Sequence, residues 1–571
     1  LERKDIKEAA VTVREGRDGD KFLCAYIVPA EGAVDETQMR SDLSGTLPGY
    51  MIPAFFVQME KMPLTSGGKI DRKALPEPEI TSSKEYVEPR NKEERDLLKI
   101  WREILDIERI GIYDNFFEIG GHSLRATLLV SRIHKEFDVE LPLTKVFMTP
   151  TIKDISDMIR AAAKTHHIPI EPGEKKEYYP SSSVQKRLFV MHRLDPGGTS
   201  YNMPEFFYLD DGMDKERMER IFRQLISCHE SLRTSFAIVK DEPVQIIREP
   251  GEIEFKVTGI RDQGSGIRQK QENIPAGARR AVPGDLINRF IRPFDLSKAP
   301  LLRIGLAKGF AETGGDVLMM DIHHIINDAV SRRVLIDDFI SLYEGETLIP
   351  PRIAYRDYAR WQKKESVKAG IKEQAEYWRN EFCDEIPVLN LPYDFPRPVI
   401  RDFTGRNRSF VLPPEKRKAL NELAQEKSVT LYMLILSLYI ILLHKLSGRE
   451  DIVVGSPTAG RGHIDVQRVI GMFVNTLALR SRPNPGKTFS EFLSEVKETT
   501  LRGFENQDYQ FEELVEELSV VRDISRNPLF DVYFVLQDPG SNLTQHSFMT
   551  TVEYESHIAR FDLSVAGMEA P

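Results

Sequence analysis

Cysteine is nearly absent: the 571 residues hold three, Cys24, Cys228 and Cys383. They are far apart and odd in number, and no Cys-x-x-Cys or Cys/His cluster occurs. Neither a disulfide framework nor a structural zinc site is supported, and a reducing, cytosolic setting is expected. No apolar run is long enough to span a bilayer, and no signal peptide opens the chain. A basic excess is missing too. Lys and Arg number 78 against 88 Asp and Glu, a net charge of −10, which argues against a nucleic-acid binder needing a basic face for phosphate. The first residue is Leu1 rather than methionine, so a piece of a longer protein is expected.

What is present is ordinary for globular protein: 41% hydrophobic and 29% charged residues. At about 100–200 residues per domain, the length predicts three to five folding units. Residues 1–78 read as a small α/β unit. Ala9–Val13, Lys21–Val28 and Pro53–Val57 are strand-like, and Thr37–Leu47 reads as a helix closed by Pro48-Gly49. The segment Gly67-Gly68-Lys69 lacks the earlier glycine and following Ser/Thr of a phosphate loop, so it reads as a turn presenting Lys69. Polar residues 79–85 form a linker.

Residues 86–162 read as a compact helical unit. Leu97, Ile100, Trp101, Ile104 and Leu105 share one helix face, and Ile152, Ile155 and Ile159 repeat that spacing behind a Thr151…Asp154 capping signal. Between them, Gly120-Gly121-His122-Ser123-Leu124 breaks local order, and Ser123 opens the next helix, where a serine is ordinarily an N-cap. Residues 163–177, with His166-His167 and Pro172-Gly173, form a second linker. From Tyr178 onward lies one large mixed α/β region.

Within it, Asp321–Ser331 joins an apolar strand, Val317–Ile322, to a His pair, an Asp four residues further on, and a helix from Ala329. If the strand runs into the pair, His323 and His324 point to opposite faces. Asp328 is placed to cap the helix. A neutral imidazole at a strand end can accept a proton or orient a nucleophile near pH 7. Adjacent histidines also occur with no such role, as His166-His167 do in the linker.

Three resemblances follow from these stretches. Pro63-Leu64-Thr65-Ser66-Gly67-Gly68-Lys69-Ile70-Asp71-Arg72 resembles the last core motif of nonribosomal peptide synthetase adenylation domains. Asp114-Asn115-Phe116-Phe117-Glu118 followed by Gly-Gly-His-Ser-Leu resembles a peptidyl carrier. Beyond residue 178 a series resembles condensation domains: Ser182–Leu188, His229–Phe236 (with Cys228 where the family has Arg), the His-pair stretch (with Ala329 for Gly), Tyr355–Trp361, Ile470–Arg480, Asn506–Glu512 and Arg522–Leu529.

Taken together, the resemblance implies three parts. They are a small α/β subdomain at 1–78 from an adenylation domain, a four-helix carrier bundle at 86–162, and a two-lobed chloramphenicol-acetyltransferase-like α/β condensation domain at 178–571. The lobes are expected at about 178–350 and 351–571, with the C-terminus short of the family's last helix. Lys69 would be the adenylation lysine, but the large adenylation subdomain is expected upstream, and this chain by itself should not adenylate. Ser123 would carry 4′-phosphopantetheine installed by a phosphopantetheinyl transferase. His324 would be the tunnel-facing catalytic residue, with His323 and Asp328 supporting it and Arg461 paired to Asp328. The upstream carrier would be the donor, and a downstream acceptor carrier the partner.

The implied activity is peptide-bond formation in nonribosomal synthesis of an antibiotic-type peptide, of a subtype joining an L-residue donor to an L-residue acceptor. The alternatives are an epimerising condensation domain and a catalytically impaired scaffold, the latter raised by Ala329. Arg233, Arg480 and Arg526 read as internal ion pairs, and Phe473, Phe511 and Trp361 as core.

Overall fold

A computed structural model describes residues 6–15, 21–30, 55–59, 61–63, 75–76, 86–117, 119–121, 123–164, 168–209, 214–260, 284–308, 316–399, 401–520, 523, 525–537, 549–552, 554 and 556–568. The helix expected over 37–47, Lys69 and its glycine turn, the linker 79–85 and His166-His167 lie outside them. The chain divides into two units, residues 1–165 with 409–434 and residues 166–408 with 435–571.

In the first unit, strand β1 (Ile6–Glu15) pairs antiparallel with β2 (Lys21–Pro29), which pairs parallel with β3 (Phe55–Gln58). β2 is the central strand, and its Cys24, Tyr26 and Val28 pack with Met62 and Leu75. Helices α1 (Lys92–Leu105), α2 (Ser123–Phe137), α3 (Leu143–Met148) and α4 (Ile152–Ala161) follow. Asn91 caps α1 by accepting the Glu94 N–H at 2.8 Å, and Thr151 caps α4 at the Asp154 N–H. The α1 stripe of Leu97, Trp101, Ile104 and Leu105 is buried, with Phe116 edge-on to Trp101 at 5.0 Å.

In the second unit, β4 (Tyr179–Pro180) precedes α5 (Ser183–Leu194), which Ser182 and Gln185 open with a reciprocal capping box. A five-stranded sheet follows, built from β5 (Asn202–Leu209), β8 (Thr258–Ile260), β9 (Leu302–Ala307), β10 (Asp316–His323) and β14 (Met549–Thr551) in the order β14-β5-β10-β9-β8. A smaller sheet sets β4 beside β7 (Glu242–Ile247) and β6 (Thr234–Val239).

β10 is central and buried along its whole length. Its period-2 alternation serves two cores. Leu318, Met320 and Ile322 meet helix α6 (Lys215–Cys228) through Ile221, Phe222 and Leu225, and helix α7 (Ala329–Glu344) through Val334, Leu335 and Phe339. Val317 and Met319 face Phe206, Leu286 and Phe290 on the other side.

A second sheet has the order β12-β11-β13-β15, from β11 (Ile452–Thr458), β12 (Asn475–Ser481), β13 (Val532–Gln537) and β15 (Leu563–Met568). β14 interrupts this second half of the sequence to join the first sheet. A split near residue 350 therefore does not divide the sheets cleanly. A cleft of about 2470 Å³ is lined from both halves, by Arg187 and Tyr201 from one and Arg401, Tyr509 and Phe530 from the other.

Arg480 pairs with Asp451 at 2.6 Å, Arg526 with Asp531 at 2.5 Å and Arg233 with Glu230 at 3.6 Å. Phe473 and Phe511 are buried, and Trp361 is half-buried against that core. Cys24 is buried, Cys228 half-buried and Cys383 exposed, and no disulfide joins them to one another. Among the described residues, no single helix is long and apolar enough to cross a membrane.

Candidate active site and carrier serine

β10 ends on His323, whose N–H donates to the Leu301 carbonyl at 3.0 Å. The chain then leaves the sheet. His324–Ile326 forms a single 3-10 turn, so the separation of the two imidazoles comes from that turn and not from continued pleating. His323 is buried, 2% exposed, and its Nδ1 accepts the Ile325 N–H at 3.1 Å. Edge contacts to the rings of His192 (5.5 Å) and Phe294 (5.9 Å) complete its packing. Burial pushes it down to about 3, so the ring is neutral at pH 7.

His324 is half-buried. Its N–H donates to the Tyr201 carbonyl at 2.8 Å, and its Nδ1 lies 2.7 Å from the Asn327 carbonyl oxygen. A carbonyl only accepts, so Nδ1 carries the proton and Nε2 keeps its lone pair. Among the described residues Nε2 has no hydrogen-bond partner. Burial, aided by the Arg560 charge, pushes the imidazole down to about 4, against the opposing pull of the Asn327 carbonyl and Asp328. At pH 7 the ring is a neutral acceptor. His324 is not on the wall of the large cleft, which reaches Ser200 and Tyr201, the residue whose carbonyl holds it.

Asp328 has no exposed surface and caps α7. Its Oδ1 accepts the Ser331 N–H at 2.7 Å and its Oδ2 the Phe473 N–H at 2.9 Å. Arg461 Nη2 donates to Oδ1 at 3.2 Å and to the Ser331 hydroxyl at 2.7 Å, with the guanidinium 4.0 Å from the Phe473 ring. Gly460 permits this approach: its φ is +62°, and a Cβ there would lie 1.8 Å from the Phe473 carbonyl oxygen. Ala329 is the exposed first residue of α7 and is not among the residues with positive φ. Alanine therefore fits where the family motif has glycine.

In the helical unit of residues 86–162, Ser123 is the first residue of the 15-residue helix α2. Gly120 sits at φ +103°, and the Gly121 N–H donates to the Phe116 carbonyl at 2.8 Å. A Cβ on Gly121 would fall 2.2 Å from the Phe116 ring, so only glycine allows this turn into the helix. The first turn of α2 carries no acidic side chain. The arrangement suits a phosphodiester at the positive end of the helix.

Three family models match in order. They are the AMP-binding enzyme C-terminal domain over residues 1–69, the phosphopantetheine attachment site over 95–159, and the condensation domain over 175–570. The chain belongs to the condensation-domain family.

The chain is 46% identical over 572 aligned residues to bacitracin synthase 3 of Bacillus licheniformis and 44% over 573 to tyrocidine synthase 3 of Brevibacillus parabrevis. Those alignments cover 100% of this chain but only 9% and 8% of those proteins. In fold, the condensation domain is similar to the X-domain from teicoplanin biosynthesis (TM-score 0.60, 21% identity, 70% of this chain and 88% of that one). It is also similar to the first condensation domain of the calcium-dependent antibiotic synthetase (TM-score 0.54, 18% identity, 69% and 88%).

Sequence reasoning missed the polar layer beneath the condensation-domain His pair. Asp321 Oδ2 accepts from Asn202 at 2.7 Å and from Arg303 at 2.9 Å, and burial pushes its carboxyl up to about 6. An Asp inside Val-Leu-Met-Met-Asp-Ile was the available signal, since a buried acid demands partners. Glu205, pushed up to about 7 by burial, pairs with Arg332 at 2.8 Å. Arg560, which donates to Ser200, lies outside every motif and gave no signal.

Proposed function

We propose that this condensation domain joins an acyl group presented by the carrier at 86–162 to the α-amine of an amino acid on a downstream acceptor carrier. The domain boundaries are 1–78, 86–162 and 178–571, with 163–177 as linker. Ser123 is the attachment point for 4′-phosphopantetheine, installed by a phosphopantetheinyl transferase. When attached, that arm supplies a thiol presenting the donor as a thioester, whose C–S bond is exchanged for the amide. Three cysteines with no disulfide among them support a cytoplasmic setting.

One observation carries the reading: His324 presents an Nε2 lone pair whose tautomer is fixed by the Asn327 carbonyl. Nε2 accepts a hydrogen bond from the acceptor amine and aims the nitrogen at the donor carbonyl. An imidazole held near 4 keeps a proton poorly at pH 7, so orientation of two tethered reactants supplies most of its effect. The amine proton finally goes to the departing thiolate or to solvent. His323 and the Asp328–Arg461 pair keep the turn in place. Ala329 opens α7 in ordinary helical conformation, which favours an active centre over a scaffold.

To test this, the donor chain is loaded at Ser123 with an aminoacyl-pantetheine, mixed with an aminoacyl acceptor carrier, and both proteins are weighed by mass spectrometry. The acceptor should gain the donor residue, and Ser123→Ala should abolish both loading and transfer. A fully loaded donor that gives no dipeptidyl acceptor would refute the proposal.

A further inference from the structure

Arg560 stands just ahead of β15, in the second half of the condensation domain, yet its guanidinium serves the first. Nε and Nη2 both donate to the Ser200 carbonyl, at 2.9 and 2.6 Å, and the group lies 5.2 Å from the Tyr201 ring centre. The next carbonyl in the chain, that of Tyr201, accepts the His324 N–H at 2.8 Å. Two consecutive carbonyls therefore connect Arg560 to the backbone N–H of the residue that carries the imidazole. Among the described residues Arg560 has no carboxylate within ion-pair distance; its electrostatic neighbours are Tyr201, Tyr533 and another cation, Arg187. A sheltered cation without a counter-ion is costly. Here a two-bond fork and an aromatic face offset that cost, the geometry for which Arg, and not Lys, is suited.

We propose that Arg560 is a positioning residue of the condensation centre, clamping the Ser200–Tyr201 segment from the opposite lobe and so fixing the His324 imidazole. The proposal rests on His324 serving the reaction. It makes seating of the second lobe a condition for an ordered His324, because the clamp exists only when Arg560 reaches Ser200. The charge of Arg560 also opposes an imidazolium at His324. The other groups facing that ring are Asp328 and the Asn327 carbonyl from the following turn, and His323 from β10, which itself faces His192 on α5 and Arg303 on β9.

The test uses the full 571-residue chain with labelled histidine, titrated by NMR between about pH 3 and 8, with the His324 signal assigned by its loss in His324→Ala. Arg560→Gln removes the charge and should raise the His324 midpoint by about one pH unit, the scale of one charge roughly 10 Å away at an effective dielectric of 20. Arg560→Lys keeps the charge and should leave the midpoint in place. Both variants should lower kcat about tenfold or more, with acceptor KM little changed, because the fork is lost in each. An unchanged midpoint in Arg560→Gln overturns the proposal. So does a raised midpoint with parental kcat in both variants. If the parent chain itself transfers nothing, the proposed function fails, while the titration still decides whether Arg560 governs His324.

Discussion

Arg461 Nη2 lies 3.2 Å from Asp328 Oδ1 with both side chains sealed from solvent. The same guanidinium donates to the carbonyls of Val466 and Val469, and the same carboxylate accepts two backbone N–H groups. The pair thus ties the helix after the His turn to the segment at 461–473. Arg461→Met leaves Asp328 buried and unpaired, which is expected to cost about 3–5 kcal/mol. The urea transition of the second unit should fall accordingly, and condensation should be lost with it. Asp328→Asn combined with Arg461→Met should recover part of the loss. A single variant with an unshifted transition would show the pair to be dispensable.

Ala329 departs from the family glycine at an exposed helix start. Ala329→Gly is expected to destabilise the domain by at most about 1 kcal/mol through backbone entropy and to leave transfer within about twofold of the parent. A tenfold faster variant, read in single-turnover transfer, would show that alanine strains the centre.

Because burial holds His324 near 4, its neutral form is complete above about pH 5. Its folded value lies below the usual His value of about 6.5, so the unfolded chain binds the extra proton between the two. This residue's contribution therefore favours folding fully above about 6.5 and weakens folding as pH falls towards 4. In transfer assays His324 should add no acid limb between pH 5 and 8, leaving the limb of the acceptor amine. A limb near 6.5 that vanishes in His324→Gln would contradict this.

Much of the architecture was legible because its signals are local. The strand before the His pair, the Asp328 cap, the Thr151 cap and the α1 stripe all rest on spacing within one or two turns. The strand runs one residue past its apolar run, to His323, and the His324 N–H still bonds the Tyr201 carbonyl at the next position of the β10–β5 register before the chain enters the 3-10 turn. What stayed hidden is non-local. β14 returns from residue 549 to the first sheet, and Arg560 meets Ser200 across 360 positions. No periodicity encodes such pairings. The placement of His324 off the cleft wall was equally invisible, because it depends on how a three-residue turn meets Tyr201.

The central claim is that the Nε2 lone pair of His324 orients the acceptor amine. The measurement is the single-turnover rate of dipeptide formation with Ser123 fully loaded, comparing parent, His324→Ala and His324→Gln at equal folded fraction. A loss of about 10²–10⁴-fold in His324→Ala is predicted, partly restored in His324→Gln, whose amide oxygen can accept the same hydrogen bond. Dipeptide formation by His324→Ala at the parental rate would contradict the account.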